Sequence, residues 1–101
     1  MRMLMQVKFP LEPFNTAVRN GEAAAIMKRI LDDLKPEAAY FMAQNGHRGG
    51  VLIVNLDSAS DIPRIAEPWF LLLNAEVQIH PVMTPADLAA ADLGALGKKW
   101  A

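Results

Sequence analysis

The 101-residue chain is long enough for one domain, and just over half of its residues are hydrophobic, which is sufficient to build a core. Ten basic and eleven acidic residues give a net charge of −1, so the chain lacks the basic face that neutralises nucleic-acid phosphates. It has no cysteine, which excludes disulfides, thiolate metal sites and cysteine nucleophiles.

No part of the sequence approaches the roughly 18 consecutive apolar residues of a membrane span. The first five residues resemble the start of a signal peptide, but Gln6 and Lys8 interrupt the apolar run too early. We therefore predict a cytoplasmic protein of one domain, residues 1–101, that contacts neither nucleic acid nor membrane.

Two periodicities mark the first third of the chain. In residues 2–9 an apolar set, Met3, Met5, Val7 and Phe9, alternates with Arg2, Leu4, Gln6 and Lys8, which is the pattern of a half-buried strand, and two prolines end it. Over residues 14–34 the apolar side chains recur at three and four positions, which predicts one long helix. Asn20-Gly21 is its weak point, since glycine costs about 1 kcal/mol relative to alanine inside a helix.

Two strands are predicted next, at residues 38–44 and 51–56, with a glycine-rich polar loop over residues 45–50 between them. Ser58 or Ser60 begins the second helix. Within that helix, Pro68 removes a backbone donor and clashes with the preceding turn, so we expect the helix to be bent or broken there.

The last strand is predicted at residues 75–82, and Pro81 places it at a sheet edge, where a missing N–H is harmless. Thr84 to Asp87 has the pattern of a helix start. We therefore expect residues 85–101 to form a short C-terminal helical tail.

This order of elements predicts an α+β fold of the ferredoxin-like type, βαββαβ, with a four-stranded antiparallel sheet of strand order 4-1-3-2. Both helices then cover one face of the sheet, and the opposite face is open. The side chains predicted to face the helices are Met3, Met5, Val7, Phe9, Leu52, Val54, Leu56, Val77 and Ile79. In the second strand both faces hold aromatics; we favour Phe41 toward the helices and Tyr40 on the open face.

The open face mixes apolar side chains with Arg, Gln, Lys, Asn, Tyr, Glu and His. A fully solvated face would be more polar, and a core face would be more apolar. The mixture predicts a surface half covered by a partner, with a polar pocket remaining.

The strand order, the length and the open face resemble the dimeric α+β barrel superfamily, which includes muconolactone isomerase-like, antibiotic-monooxygenase-like and stress-responsive barrel proteins. Residues 36–41, PEAAYF, and residues 67–85 resemble a small uncharacterised branch of it. The resemblance covers roughly residues 1–90 and implies a homodimer in which two open faces enclose a small cavity. No catalytic motif of the superfamily matches residues of this chain.

His80 is the predicted catalytic residue, because imidazole titrates near neutral pH and suits proton transfer beside a cavity. The alternative is a histidine that is hydrogen-bonded at a sheet edge or a dimer seam. A histidine without a partner motif does not by itself decide between the two.

Five further residues are predicted to bind a ligand: Lys8, Tyr40, Asn55, Glu76 and Gln78. The tyrosine hydroxyl would orient the ligand and the amides would bind a carbonyl, or these groups would only satisfy one another. The lysine and the glutamate would form a cross-strand pair, worth about 0.2–1 kcal/mol at a solvated surface. Arg48 would either bind a carboxylate or be a solvated charge in a loop.

No metal site and no cofactor are predicted. His47 and His80 are the only histidines, and they fall in different parts of the sheet. Gly46, Gly49 and Gly50 lack the strand-before, helix-after context of a phosphate-binding loop.

Two hypotheses follow. In the first, the protein binds or converts a small cyclic or carboxylate-bearing molecule in a cavity between two sheets. In the second, it is a non-catalytic dimeric module whose open face serves only for pairing.

Overall fold

The computed structural model describes all residues, 1–101. Four strands form one antiparallel sheet: β1 (Arg2–Phe9), β2 (Ala38–Gln44), β3 (His47–Asn55) and β4 (Glu76–Pro81). Their spatial order is β2-β3-β1-β4, which is the predicted order 4-1-3-2 read from the other edge. The ferredoxin-like α+β prediction is confirmed, and Pro81 lies in an edge strand as expected.

Five helices and one short 3₁₀ turn (Ala59–Asp61) complete the chain: α1 (Leu11–Arg19), α2 (Ala23–Leu34), α3 (Ile62–Leu73), α4 (Pro85–Ala90) and α5 (Leu93–Lys99). The prediction of one helix over residues 14–34 is wrong, because α1 and α2 are separate. Gly21 has a φ of 81°, and the Asn20 side chain accepts a hydrogen bond from the Glu22 N–H at 3.0 Å. The glycine thus ends one helix where the periodicity alone favoured continuation.

Helix α3 is continuous through Pro68, so the break that was one of the two expected outcomes does not occur. The side chains that it buries against the sheet are Ile65, Ala66, Trp69 and Leu73. Burial of this face outweighs the loss of one backbone hydrogen bond at the proline. Trp69 is fully buried, whereas its neighbour Phe70 is partly exposed.

The core lies between the sheet and α1–α3. It contains every second residue of β1, namely Met3, Met5, Val7 and Phe9, together with Leu52, Val54 and Leu56, as predicted. Val77 and Ile79 pack against it from β4. Phe41 does face the helix side, but about half of it is exposed, because no helix extends over the end of β2.

The hairpin between β2 and β3 is tighter than predicted. Its turn consists of Asn45 and Gly46, with φ of 53° and 78°, and residues 47–50 belong to β3. Asn-Gly is the preferred pair for a two-residue hairpin turn with both residues at positive φ. The prediction of a loop over residues 45–50 is therefore wrong at its second half, where Gly49 and Gly50 are strand residues.

We call residues 82–101, which follow β4, the C-terminal arm. Its start is fixed, because the Val82 N–H donates to the Arg2 carbonyl and Thr84 and Asp87 cap α4 reciprocally. Every residue of α4 and α5 is exposed. The radius of gyration is 17.1 Å, against about 13 Å for a compact chain of this length. No helix of the chain has the length and apolarity that crossing a membrane requires.

Candidate functional site

The strand register arranges the open face in rows that run across all four strands. The Leu4 row contains Ala38, Ile53, Leu4 and His80. The Gln6 row contains Tyr40, Val51, Gln6 and Gln78, and the Lys8 row contains Met42, Gly49, Lys8 and Glu76. Neighbouring strands are about 4.8 Å apart and neighbouring rows about 7 Å apart.

A shallow depression of about 370 Å³ lies on this face, around the Lys8 row. It is present because Gly49 has no side chain between Met42 and Lys8. A Cβ at Gly49 would lie 3.1 Å from the Val7 carbonyl oxygen, so the strand itself favours glycine here. The polar side chains that line the depression are Gln6, Lys8, Gln44, Asn45, Glu76 and Gln78.

Three of the six predicted site residues line this depression: Lys8, Glu76 and Gln78. Tyr40 does not, since it shares a row with Gln78 but lies three strands away, at about 14 Å. Asn55 is near the far end of β3, beside Arg2. The structure of one chain therefore brings together half of the predicted set.

His80 lies on the open face but outside the depression. It pairs with Leu4 in the next row and is two residues from Gln78 on the same face of β4. It is exposed, and no side chain or backbone group is hydrogen-bonded to its ring. Its predicted role as a proton-transfer group stays a prediction.

Lys8 and Glu76 form the expected cross-strand ion pair, with 3.8 Å between Nζ and Oε2. Both side chains are more than half exposed. Solvent screening limits the contribution of such a pair to about 1 kcal/mol or less. Either group can therefore leave its partner and contact a ligand at little cost.

Arg48 belongs to β3, and its guanidinium contacts helix α1. Its guanidinium lies on the helix side of the sheet, 4.7 Å from the centre of the Phe14 ring, and donates to Asn15 Oδ1 at 2.7 Å. The interpretation as a solvated loop charge is therefore wrong, because Arg48 belongs to β3, and the interpretation as a carboxylate clamp stays a prediction. Arg48 connects β3 to α1.

An ion pair lies at the end of the open face that is opposite the depression. The Arg2 guanidinium donates from Nε to Glu37 Oε2 at 2.9 Å and from Nη2 to Oε1 at 3.1 Å. The hydrogen bond from Arg2 lowers the pKa of the Glu37 carboxyl. In α1, hydrogen bonds from Thr16 lower the pKa of Glu12.

These lowered pKa values predict a loss of stability in acid. A carboxyl whose pKa is lower in the folded than in the unfolded chain stabilises the fold above its ordinary pKa of about 4.3, and this is lost as the pH falls. We therefore expect the urea concentration at the unfolding midpoint, measured between pH 3 and pH 6, to decrease once the pH is below about 4.3. The decrease should be smaller in Glu37→Gln than in the native protein. Glu67, which forms no ion pair, provides the matched control. An equal change in Glu67→Gln would contradict the assignment to Glu37.

No group of three histidine, aspartate or glutamate side chains is arranged to hold a metal ion. His80 shares the Leu4 row with Ile53, and His47 lies six residues along β3 from Ile53, a distance of about 20 Å along the strand. The two histidines of one chain therefore do not share a site.

The sequence analysis missed the residues that shape the depression: Gly49, Gln6, Gln44 and Asn45. The signal that identifies them is the Asn45-Gly46 pair, because a two-residue turn there fixes the register of β2 and β3. With that register, Gly49 falls between Met42 and Lys8 and leaves a gap in the face.

The fold and the depression define an α+β protein of the ferredoxin-like type with a polar concavity on an uncovered sheet. Residues 1–96 match the family model described as "Domain of unknown function (DUF3303)", and the chain belongs to that family. No curated protein matches the chain.

Among solved structures, the chain is similar to 5-chloro-2-hydroxyhydroquinone dehydrochlorinase (TftG) from Burkholderia phenoliruptrix AC1100, in complex with 2,5-dihydroxybenzoquinone. The TM-score is 0.63, the sequence identity is 17%, and the match covers 85% of this chain and 97% of that chain. At this identity the similarity shows a shared fold. The relation to muconolactone isomerase-like and stress-responsive proteins stays a prediction.

Proposed function

We propose that the protein is a homodimer, paired through the open sheet face, that binds a small polar cyclic molecule in the depression around Gly49. The observation that carries this proposal is the set of six polar side chains around one gap in an otherwise mixed face. The bound quinone in the neighbour TftG supports the class of ligand. We further propose that it acts in the cytoplasm, in line with its cysteine-free sequence.

The depression has the chemistry for a ring that carries several oxygens. Gln6, Gln44 and Gln78 offer amide donors and acceptors, and Lys8 offers a cation to an acidic hydroxyl or a carboxylate. Glu76 would accept a hydrogen bond from a ligand hydroxyl. A dimer would cover the depression, and exclusion of water strengthens such contacts.

The open face favours one mode of pairing. Two sheets that face each other are related by a two-fold axis that lies between them, and the strands of the two sheets stay aligned when this axis is either parallel or perpendicular to the strands. A parallel axis places Leu4 against Ile53 of the partner subunit, and Lys8 against Gly49 of the partner subunit. A perpendicular axis exchanges the Leu4 and Lys8 rows and sets an apolar side chain against a charge. We therefore favour the parallel axis.

This pairing would also bring predicted site residues of the two subunits close together. With a parallel axis, β2 of one copy lies over β4 of the other, so Tyr40 of the partner subunit faces the Gln6 row near Gln78. Residues that one chain holds about 14 Å apart would then border one cavity. His80, in the next row, would lie at its rim.

Binding of 2,5-dihydroxybenzoquinone tests the proposal. We expect calorimetry to detect binding by the native protein, and Lys8→Ala to weaken it at least tenfold, because hydrogen bonds to charged groups contribute about 1.5–3 kcal/mol. Gln78→Ala should weaken binding about two- to tenfold. Lys28→Ala is the matched control, since Lys28 lies in α2 and pairs with Asp32.

Equal affinity in the native protein and Lys8→Ala would contradict the proposed site. If dimers form but bind no ring compound, the second candidate, a non-catalytic dimeric module, is correct. One observation favours that candidate: His80, the predicted acid–base group, does not line the depression. Turnover that is lost in His80→Ala, with binding and dimerisation intact, would instead establish catalysis.

A further inference from the structure

Helices α4 and α5 of the C-terminal arm form the longest stretch of the chain in which every residue is exposed. Leu93 and Leu96 lie on one face of helix α5, and Trp100 follows the last residue of the helix on the same side. Lys98 lies on the opposite face, Lys99 stacks over the Trp100 ring at 5.1 Å, and Trp100 is 76% exposed. An amphipathic face of this kind is suited to packing against another surface. In a single chain it is in water.

The exposed area is too large for a compact monomer. A monomer of 11.1 kDa exposes about 5,700 Å², whereas this chain exposes 6860 Å². The excess is about 1,200 Å², and a stable interface buries about 800 Å² on each partner. The surplus is therefore larger than what one subunit contributes to an interface of standard size.

The arm is also too short to be stable in isolation. Helices α4 and α5 have six and seven residues, and isolated helices below about 12–15 residues are marginal in water. Both have polar side-chain caps, from Thr84 and Asp92, so the sequence specifies where each helix begins. A segment with specified helices and no packing of its own needs a surface on which to pack.

A matching apolar groove exists on the helix side of β2. It has a volume of about 420 Å³ and lies where α1 and α2 leave the strand uncovered. Its apolar lining consists of Phe9, Phe14, Met27, Phe41, Met42 and Ala43. The groove follows an edge strand, whose outer side is free of backbone pairing.

We infer that the arm of one copy packs into the β2 groove of a second copy, with the apolar face of α5 against Phe41 and Ala43. This inference rests on the proposed dimer: with a two-fold axis parallel to the strands, β4 of one copy lies over the open face of β2 of the other, and the arm reaches the helix side of β2 by passing around its free edge. The arm begins directly after β4, at the level of Ala38. From Ala38 to Ala43 is about 17 Å, and α4 and α5 together span about 20 Å.

Such an exchange would make the partner part of the site. An arm that crosses β2 of the other subunit covers the edge beside Tyr40 and Met42. It would close the cavity between the sheets on the side where the open face ends. Each subunit would then contact the other through its open sheet face and through its C-terminal arm.

Disulfide cross-linking tests this contact, because the chain has no cysteine of its own. Two differently tagged variants, Ala43→Cys and Leu96→Cys, are mixed and oxidised, so that a bond between them joins two copies by construction. We expect a mixed dimer as the main product. Lys98→Cys, on the opposite face of α5, is the matched control and should give at least tenfold less, since a disulfide needs Cα atoms within about 7 Å.

A monomeric product with an internal disulfide, formed by a chain that carries both Ala43→Cys and Leu96→Cys, would overturn the inference, because the arm would then pack on its own subunit. Equal yields from Leu96→Cys and Lys98→Cys would overturn it too. Truncation after Met83 should raise the dimer dissociation constant at least tenfold, and an unchanged constant would contradict the exchange.

A second pair keeps this result separate from the proposed function. Leu4→Cys mixed with Ile53→Cys reports contact between the open faces. If this pair cross-links and the arm pair does not, the arm inference fails while the proposed dimer stands. If the arm pair cross-links alone, the exchange is supported and pairing through the open face is not.

Discussion

Replacement of Trp69 by alanine is expected to lower the free energy of unfolding by about 3–5 kcal/mol, the usual effect of removing a large buried aromatic side chain. Trp69 is fully buried in α3, and its ring centre lies 5.8 Å from that of Phe9. The side chain fills the centre of the core, so alanine leaves a cavity between helix and sheet. Urea denaturation at a fixed protein concentration measures the change.

Two further variants make this prediction specific. Leu71, two residues along the same helix, is 76% exposed, so Leu71→Ala should change the free energy of unfolding by less than about 0.5 kcal/mol. The Trp69 Nε1–H is buried without a hydrogen-bond partner, so Trp69→Phe removes an unsatisfied donor and should be much milder than alanine. Equal losses in Trp69→Ala and Leu71→Ala would contradict the described core.

The core and the strand order could be predicted because they follow from the two-residue period of the strands. Met3, Met5, Val7 and Phe9 alternate with a mostly polar set, Arg2, Leu4, Gln6 and Lys8, and a shift of one residue would expose all four core side chains. Pro81 fixed the last strand at an edge for a local reason, its missing N–H. Both features follow from local properties of the sequence, the two-residue period of a strand and the missing N–H of a proline.

The helix boundaries and the shape of the site depend on choices between competing local structures. Gly21 ends α1 although the apolar spacing continues, and Pro68 remains in α3 because Trp69 and Leu73 are buried beyond it. The depression depends on the register of β2 and β3, which the Asn45-Gly46 turn sets. Only half of the predicted polar residues line it. Tyr40 lies on the right face but at the other edge, a distance that no pattern along the chain reveals.

The mode of pairing gives the second large prediction. Leu4→Lys and Ile53→Asp, each made alone, are expected to raise the dimer dissociation constant at least a hundredfold. Each replaces an apolar contact that the two-fold axis repeats, and burial of one leucine or isoleucine side chain contributes about 1.5–3 kcal/mol. Analytical ultracentrifugation measures the constant, and circular dichroism shows that the fold is kept.

A mixture of the two variants distinguishes the two axes. With an axis parallel to the strands, a mixed dimer has one contact between the introduced lysine and the introduced aspartate, and one native contact between Ile53 and Leu4 of the partner subunit. We therefore expect the mixture to form dimers where each variant alone is monomeric. With a perpendicular axis, Leu4 would face Lys8 of the partner subunit, and the two introduced charges would not meet. In that case the mixture stays monomeric. The perpendicular axis would not place Tyr40 of the partner subunit over Gln78, so the proposed cavity would be contradicted. It would also not bring the arm close to β2 of the other copy.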